Sequence, residues 1–511
     1  MKRYSKLSLP APIIHLGSNH VSLGAYILWK SRKDLQIAFQ LDTLAGQEGL
    51  ISWHKDQLFQ LQAGHSLPLI FRILNAVQAR LTELVHLFPH GVRRSMAHQW
   101  WRFRAVVMRK HGTSASVGQV DEALIKRSLE TVDRGVNLVG YLRAEKGMGQ
   151  ILRSSIKTFS TTPVKFGVID YRFGMTSRMR APVDNIPTIS GAIYNISIIY
   201  INADQLWSTI INLSQSNIFK TYVIAVWLWE LERFPEEWEY ALDLVDEIWA
   251  PSTFIHNALS RVTKKPVLHM PFSVEHALVD LDSDAPPKKT FTVVYIFDAS
   301  SYIKRKNPLA VIQAFLLAFS GKDKTVKLIL KSMYGSSDII GWTELCSAAS
   351  SDNRISLINE VWSIDQIYDL IDNCDCYISL HRSEGFGFTI VEAMARGKPA
   401  IFTSYSGPTD FINDDGCCPV GYKLESLLDD DYPGSSCQVW AMPDVAEASQ
   451  WLAKLRAHPE LARRIGRTGA SFVRSKFSAS ATGKLYASRV NDLSKEMEPG
   501  SPIAPGNGGE V

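Results

Sequence analysis

Apolar positions along the chain change their spacing twice. Up to about residue 133 the period is helical: Leu69-Ile70, Ile73-Leu74, Val77, Leu81 and Leu84-Val85 recur three and four positions apart, on one helix face. From about 134 to 280, short apolar runs at 136–142, 164–169, 194–201, 221–228 and 247–250 alternate with helical patterns, which predicts strands joined by crossover helices. Between Asp280 and Lys289 the pattern stops in a polar stretch with Asp280, Asp282, Asp284 and Pro286-Pro287, the composition of a linker. Beyond it the alternation resumes. Strands are predicted at 291–297, 326–330, 355–357, 376–380 and 399–402, and helices at about 307–320, 363–373, 388–396 and 443–474. The last 13 residues, from Pro499, hold seven Gly or Pro and read as a disordered tail.

These zones predict an α/β chain: a mostly helical N-terminal extension over 1–133, a Rossmann-like domain over 134–283, a second over 290–498, and the tail over 499–511. Two such sheets joined by a linker put a ligand cleft between their carboxyl ends.

Composition narrows the class. A chain of 511 residues is too long for one core, and 46% hydrophobic with 21% charged residues excludes wholesale disorder. With 55 Lys+Arg against 51 Asp+Glu the net charge is +4, too small for a nucleic-acid partner, so any electrostatic partner has to meet a local patch. One such patch stands between Gly91 and Gly112: Arg93, Arg94, Arg102, Arg104, Arg109 and Lys110, with no acidic residue and with Trp100-Trp101 and Phe103 interleaved. A basic-aromatic helix of this kind either lies on an anionic membrane surface or docks its Trp face on the rest of the protein. No window approaches the ~18 apolar residues of a membrane span, and the N-terminus lacks the apolar core of a secretory signal. The six cysteines, Cys374, Cys376 and Cys417-Cys418 among them, lack the number and spacing of a disulfide scaffold or zinc site and point to reduced cytoplasmic thiols.

The densest candidate chemistry is His381-Arg382-Ser383-Glu384-Gly385-Phe386-Gly387-Phe388-Thr389-Ile390-Val391-Glu392, which follows an apolar strand and opens a helix. Strand-to-helix turns are where α/β sheets hold ligands. Gly385 and Gly387 permit a tight turn and close backbone approach. The amides near Phe388 and Thr389 would aim a partly positive helix N-terminus at a phosphate. Glu384 and Glu392 can both face the crevice, where carboxylates accept hydrogen bonds from vicinal sugar hydroxyls; the same pair also reads as a helix cap and a solvated helix residue. A second candidate is Ser300-Ser301 followed by Arg305-Lys306-Asn307-Pro308, two cations after the first strand of the third zone, with Pro308 suited to the first helical position. Such cations can neutralise a diphosphate and the charge that builds on it as a sugar departs.

The segment from Glu384 to Glu392 resembles the Glu-x7-Glu motif of glycosyltransferase family 4, retaining nucleotide-sugar transferases of the GT-B fold. The likeness continues through Gly397, Pro399, Thr403 and Ser406-Gly407-Pro408-Thr409-Asp410. Arg305-Lys306-Asn307-Pro308, Trp229-Glu230-Leu231-Glu232 and Asp246-Glu247-Ile248-Trp249-Ala250-Pro251-Ser252 are similar to a bacterial polysaccharide-transferase subset. Gly140-Tyr141-Leu142 through Gly147-Met148-Gly149-Gln150 resembles the family's glycine loop.

What the resemblance implies is a GT-B fold, two Rossmann-like domains facing a cleft. Glu384 would contact the donor sugar hydroxyls and Glu392 the ribose, with Gly385, Phe386, Gly387, Phe388 and Thr389 lining the donor site. Gly147 and Gly149 would let acceptor and diphosphate approach the backbone. Arg305 and Lys306 would serve the diphosphate, with the division of contacts between them open. Many relatives carry a His near Trp229-Glu230; this chain has none there, and Glu230 is taken as the substitute. Trp227 and Trp229 either stack on a sugar or pack in the core.

The implied function is hexosyl transfer from a nucleotide-sugar donor to a saccharide or lipid-linked saccharide acceptor, with retention of configuration, in bacterial cell-surface polysaccharide biosynthesis. The implied place is the cytoplasm, peripheral at the inner face of the plasma membrane. No cofactor and no metal are expected, because Asp280-x-Asp282-x-Asp284 falls in the linker and reads as a solvated acidic run. The alternatives are a GT-B phosphorylase-like enzyme, and a catalytically silent scaffold subunit that binds nucleotide sugar.

Overall fold

The computed structural model describes residues 13–16, 19–22, 48 and 133–497, apart from 146, 173–180, 182, 184–185, 214–215, 275–288, 429–430 and 436. The helical period at 69–85, the basic-aromatic stretch 93–110, the linker acids and the tail lie outside these residues. The chain forms two units, Met1–Glu83 with Arg172–Arg178, and Leu84–Tyr171 with Met179–Val511. In the first, β1 (Ile13–Leu16) pairs antiparallel with β2 (Asn19–Ser22). This hairpin is strand within a segment expected to be mostly helical. Runs of four residues are too short for their alternation to register in the sequence.

The second unit holds two parallel sheets of six strands. In the first the order is β4-β3-β5-β6-β7-β8, from β3 (Asp133–Gly140), β4 (Phe166–Asp170), β5 (Tyr194–Tyr200), β6 (Tyr222–Val226), β7 (Glu247–Ala250) and β8 (Val267–His269). In the second it is β11-β10-β9-β12-β13-β14, from β9 (Phe291–Asp298), β10 (Val326–Met333), β11 (Ile355–Asn359), β12 (Cys376–Ser379), β13 (Ala400–Thr403) and β14 (Cys418–Val420). Adjacent residues such as Val293 and Val294, or Ile198 and Ile199, are both fully buried, although they point to opposite faces. Helices therefore cover both sides of each sheet, which is why the strands read as continuous apolar runs.

Strand order decides where the site lies. In the second sheet the chain builds outward from β9 to β10 and β11, then returns to place β12 on the other side of β9. Connections diverge at that point and leave a crevice beyond the carboxyl ends of β9 and β12. The matching reversal in the first sheet lies at β3 and β5.

In the second unit, four further strands have no predicted counterpart: β8, β14, and the antiparallel pair β15 (Tyr422–Ser426) and β16 (Val439–Pro443). The single helix expected over 443–474 divides at Pro459 into Val445–Ala457 and Pro459–Phe477, since proline begins a helix better than it continues one. The last helix, Ala479–Glu496, packs on the helix Gly147–Ser160 and on β3. Residues at the end of the predicted 290–498 domain thus return to the first sheet. Arg489 fixes this return: its Nη2 donates to Glu247 Oε2 at 2.7 Å, and Glu247 is fully buried and also accepts from Trp249 Nε1 at 2.8 Å. Among the described residues, no helix is long and apolar enough to cross a membrane.

Candidate functional site

The two segments singled out after β9 and β12 meet at the switch point. After β9, Asp298 caps a short turn by accepting from the Ser300 amide at 2.8 Å, and Ile303–Lys306 forms one helical turn before Pro308 opens the next helix. The turn is stitched to the loop after β12. The Arg382 amide donates to Arg305 O at 2.8 Å, and Asn307 Nδ2 donates to Leu380 O at 2.9 Å. Tyr302 and Ser406, which border the cluster, have left-handed φ values of 66° and 64° although neither is glycine. Strain of this kind persists where the surrounding packing over-determines the backbone.

Glu384 sits between the two cations. Lys306 Nζ donates to its Oε1 at 2.5 Å, and Arg305 Nη1 lies 3.1 Å from its Oε2. The Glu384 amide donates to Ser406 Oγ at 2.8 Å, and its carbonyl accepts from the Gly407 amide at 2.9 Å. Burial opposes ionisation of this carboxyl, but Lys306 and then Arg305 outweigh it and hold it at about 2. Arg305 is only 3% exposed and also donates to Ser383 O at 2.8 Å and Ser301 O at 3.2 Å. The same guanidinium is therefore a strut for both loops, whereas the Lys306 side chain keeps 17% of its surface in solvent.

Glu230 joins from the first half. Its Oε1 lies 4.0 Å from Arg305 Nη2, its Oε2 accepts from Tyr432 OH at 2.6 Å, and its carbonyl accepts from the Ser383 hydroxyl. Tyr432 comes from the loop between β15 and β16 and had no signal in the sequence. Its ring lies 4.7 Å from Tyr302, 5.7 Å from Trp229 and 5.6 Å from the Arg305 guanidinium carbon. Lys304 Nζ to Asp431 Oδ1 at 2.7 Å ties this loop to the turn after β9, and Gln438, exchanging hydrogen bonds with the Arg233 backbone, ties it to the first half.

Glu392 faces the glycine loop. Gln150 Nε2 donates to its Oε1 at 2.6 Å, so the helix Gly147–Ser160 touches the helix Phe388–Ala395 at the residue expected to meet a ribose. Burial pushes the Glu392 carboxyl up to about 7, against the opposing pull of Gln150, Arg396 and Tyr368. Gln150 ends the glycine loop, and no sequence pattern links it to Glu392, 242 positions away.

The remaining candidates divide. Gly387 has φ 91° and precedes the helix, the conformation glycine suits. Gly385 lies where a side chain would come within 3.2 Å of Ile255 Cδ1. A Cβ on Gly149 would fall 2.2 Å from Ala144 O, so that position demands glycine, whereas Gly147 faces open space. The Phe386 ring is 2% exposed, with Phe272 at 5.2 Å and Phe411 at 5.2 Å; Phe388 stacks on Phe272 at 5.4 Å. These rings pack one half against the other, which leaves the Phe386 backbone as its means of touching a ligand. Thr389 Oγ1 accepts from Tyr377 OH at 2.6 Å and is committed inward. Trp227 and Trp229 are buried, the latter donating to Arg233 O at 2.8 Å, so of their two readings core packing is the one realised.

Comparison with known proteins follows the same outline. Residues 295–427, from β9 to just beyond β15, match the family described as glycosyl transferases group 1. No curated protein matches the chain. Among solved structures, Anabaena HepE in complex with UDP and glucose is 14% identical with a TM-score of 0.52, covering 71% of this chain and 100% of that one. Sucrose-phosphate synthase from Thermosynechococcus elongatus is 12% identical with a TM-score of 0.52 over 71% and 100%. A glycosyltransferase from Rickettsia africae is 14% identical with a TM-score of 0.51 over 71% and 99%. At such identities the likeness is one of fold, the GT-B pair of Rossmann-like sheets. The chain thus shares the GT-B fold with these enzymes, and its segment 295–427 is similar to the glycosyl transferases group 1 family.

Proposed function

We propose that the protein is a retaining glycosyltransferase of the family 4 type, moving a hexosyl group from a nucleotide-sugar donor to a saccharide acceptor without a metal. The observation that carries this reading is the Lys306–Glu384–Arg305 cluster at the β9/β12 switch point, with Glu392 on the helix that follows. Sugar transfer builds positive charge on the anomeric carbon and negative charge on the departing diphosphate. Two carboxylates, Glu384 and Glu230, balance the two cations, so a diphosphate has to displace one of these pairs. Lys306 is the cation able to turn outward, since Arg305 is tied to the backbone of both loops. In this reading Lys306 swings to the diphosphate and frees Glu384 to accept hydrogen bonds from donor sugar hydroxyls. Arg305 remains as the fixed charge behind the leaving group, and Glu230 faces it from the acceptor side. The crystallised Anabaena protein was solved with UDP and glucose, which supports a nucleoside-diphosphate sugar as the donor class.

The test is turnover of the full-length protein with a panel of nucleotide sugars, with the anomeric configuration of the product read by NMR. Lys306→Ala and Glu384→Gln are each expected to lose about a hundredfold or more in transfer while thermal unfolding stays cooperative. Near-normal turnover in either variant, or inversion in the product, counts against the assignment.

The acceptor is further proposed to be lipid-linked, in cell-surface polysaccharide assembly at the inner membrane face. The support is the all-basic run Arg93, Arg94, Arg102, Arg104, Arg109 and Lys110 with its tryptophans. Charge reversal at Arg102 and Arg104 should weaken sedimentation with anionic phosphatidylglycerol vesicles. Unchanged sedimentation would refute this membrane role.

A further inference from the structure

We propose that a second binding site, for a neutral saccharide unit, lies beside the Lys306–Glu384 cluster between the two halves of the GT-B unit. It rests on the glycosyl-transfer reading above and assigns this unit to the acceptor. A cavity of about 270 Å3 is lined from the first half by Glu232, Phe254 and Asn257 and from the second by Tyr405, Asp410 and Tyr422. It adjoins the reacting centre through Ser406, which also lines it and whose hydroxyl accepts the Glu384 amide hydrogen bond at 2.8 Å.

The charge of the lining separates this cavity from the neighbouring cluster. It contains two carboxylates and neither Lys nor Arg. An anionic group would meet repulsion here and attraction at Lys306, so the ligand of this cavity is not the phosphate. Three aromatic rings form its apolar wall. Tyr405 lies 5.5 Å from Phe254 at a steep angle and 5.1 Å from Tyr422, and Tyr422 is 41% exposed. Such rings offer flat faces to the C–H side of a pyranose.

The polar groups have capacity left over. Glu232 Oε1 accepts from Tyr405 OH at 3.3 Å; Asp410 Oδ2 accepts from the Thr253 amide at 2.9 Å and lies 3.2 Å from His269 Nε2. The other carboxylate oxygens, Glu232 Oε2 and Asp410 Oδ1, and the amide nitrogen of Asn257 carry no hydrogen bond among the described residues. Acceptors and a donor arranged beside an aromatic wall are what an uncharged polyhydroxylated ring requires.

The experiment is saturation-transfer NMR on the full-length protein with methyl α-mannopyranoside, methyl α-glucopyranoside and methyl β-galactopyranoside, in the absence and presence of UDP or GDP. At least one glycoside is expected to receive saturation, and neither nucleotide should displace it. Asn257→Trp, which adds bulk to an exposed lining position, and Tyr422→Ala, which removes an exposed ring face, should each weaken that binding about tenfold. Donor hydrolysis without acceptor should stay at the wild-type rate in both. Failure of every glycoside to bind, displacement by the nucleotide, or undiminished binding in both variants overturns the proposal. Failure of the glycosyl-transfer reading would appear separately, as no thermal shift with any nucleoside diphosphate or nucleotide sugar.

Discussion

Glu384 and Glu392 stand eight residues apart, yet their surroundings drive them in opposite directions. Glu392 is buried and Glu384 mostly so, which favours the neutral acid, but only Glu384 has two cations in contact and is held near 2, whereas Glu392 rises to about 7. The sequence could name both carboxylates from their place after an apolar strand, but not this divergence, because Lys306 and Gln150 reach them from 78 and 242 positions away. The consequence for Glu392 has a definite sign. Its folded pKa lies above the ordinary carboxyl value, so the native state holds the proton more tightly than the unfolded chain does. Its contribution to stability is therefore fully present below the ordinary value of 4.5 and is lost as pH rises through about 7. Thermal unfolding measured from about pH 5 to 8 should show wild type losing stability relative to Glu392→Gln. A parallel pair of curves would mean that the carboxyl titrates normally.

At the level of elements, the strand-to-helix turns were legible and the β15–β16 hairpin was not. Apolar runs followed by glycines announce the turns after β3 and β12, and Pro308 announces the helix after the Arg305–Lys306 turn. All five residues of β15 are exposed, and exposed short strands lack the apolar alternation that would reveal them. The loop of that hairpin nevertheless supplies Tyr432 to Glu230, across 202 residues of sequence. Tyr432→Phe removes the phenol hydroxyl and keeps the ring against Trp229 and Tyr302. The expected outcome is a fall in kcat of about tenfold with little change in donor KM, as the Glu230 carboxylate loses its anchor. Equal effects on kcat and on melting temperature in Tyr432→Phe would reassign the hydroxyl to stability alone.

For the whole GT-B unit, the C-terminal helix binds the second half of the sequence back to the first sheet. Arg489 and Glu247 carry this return, and Glu247 has no exposed surface. Arg489→Met would leave a buried carboxylate without its cation, retaining the Trp249 and Tyr222 hydrogen bonds. Loss of one partner of a buried pair costs about 3–5 kcal/mol. A drop of that order in chemical denaturation is expected, and a change below about 1 kcal/mol would class the pair with weak surface bridges. Its position far from Glu384 in sequence, beyond the matched segment 295–427, separates this structural role from the chemistry.

The sequence by itself determined the two α/β halves and the crevice-bearing turns, and singled out Arg305, Lys306, Glu384 and Glu392 as candidates on those turns. Local patterns suffice for these, because a buried parallel strand and the glycine turn after it are written in adjacent residues. Tertiary structure alone decided that Arg305 is a strut and Lys306 the accessible cation, that Phe386 and the two tryptophans serve packing, and that Tyr432 and Gln150 reach the site. Those outcomes depend on which distant loops meet at the switch point, and burial and partner charges exist only once they have met.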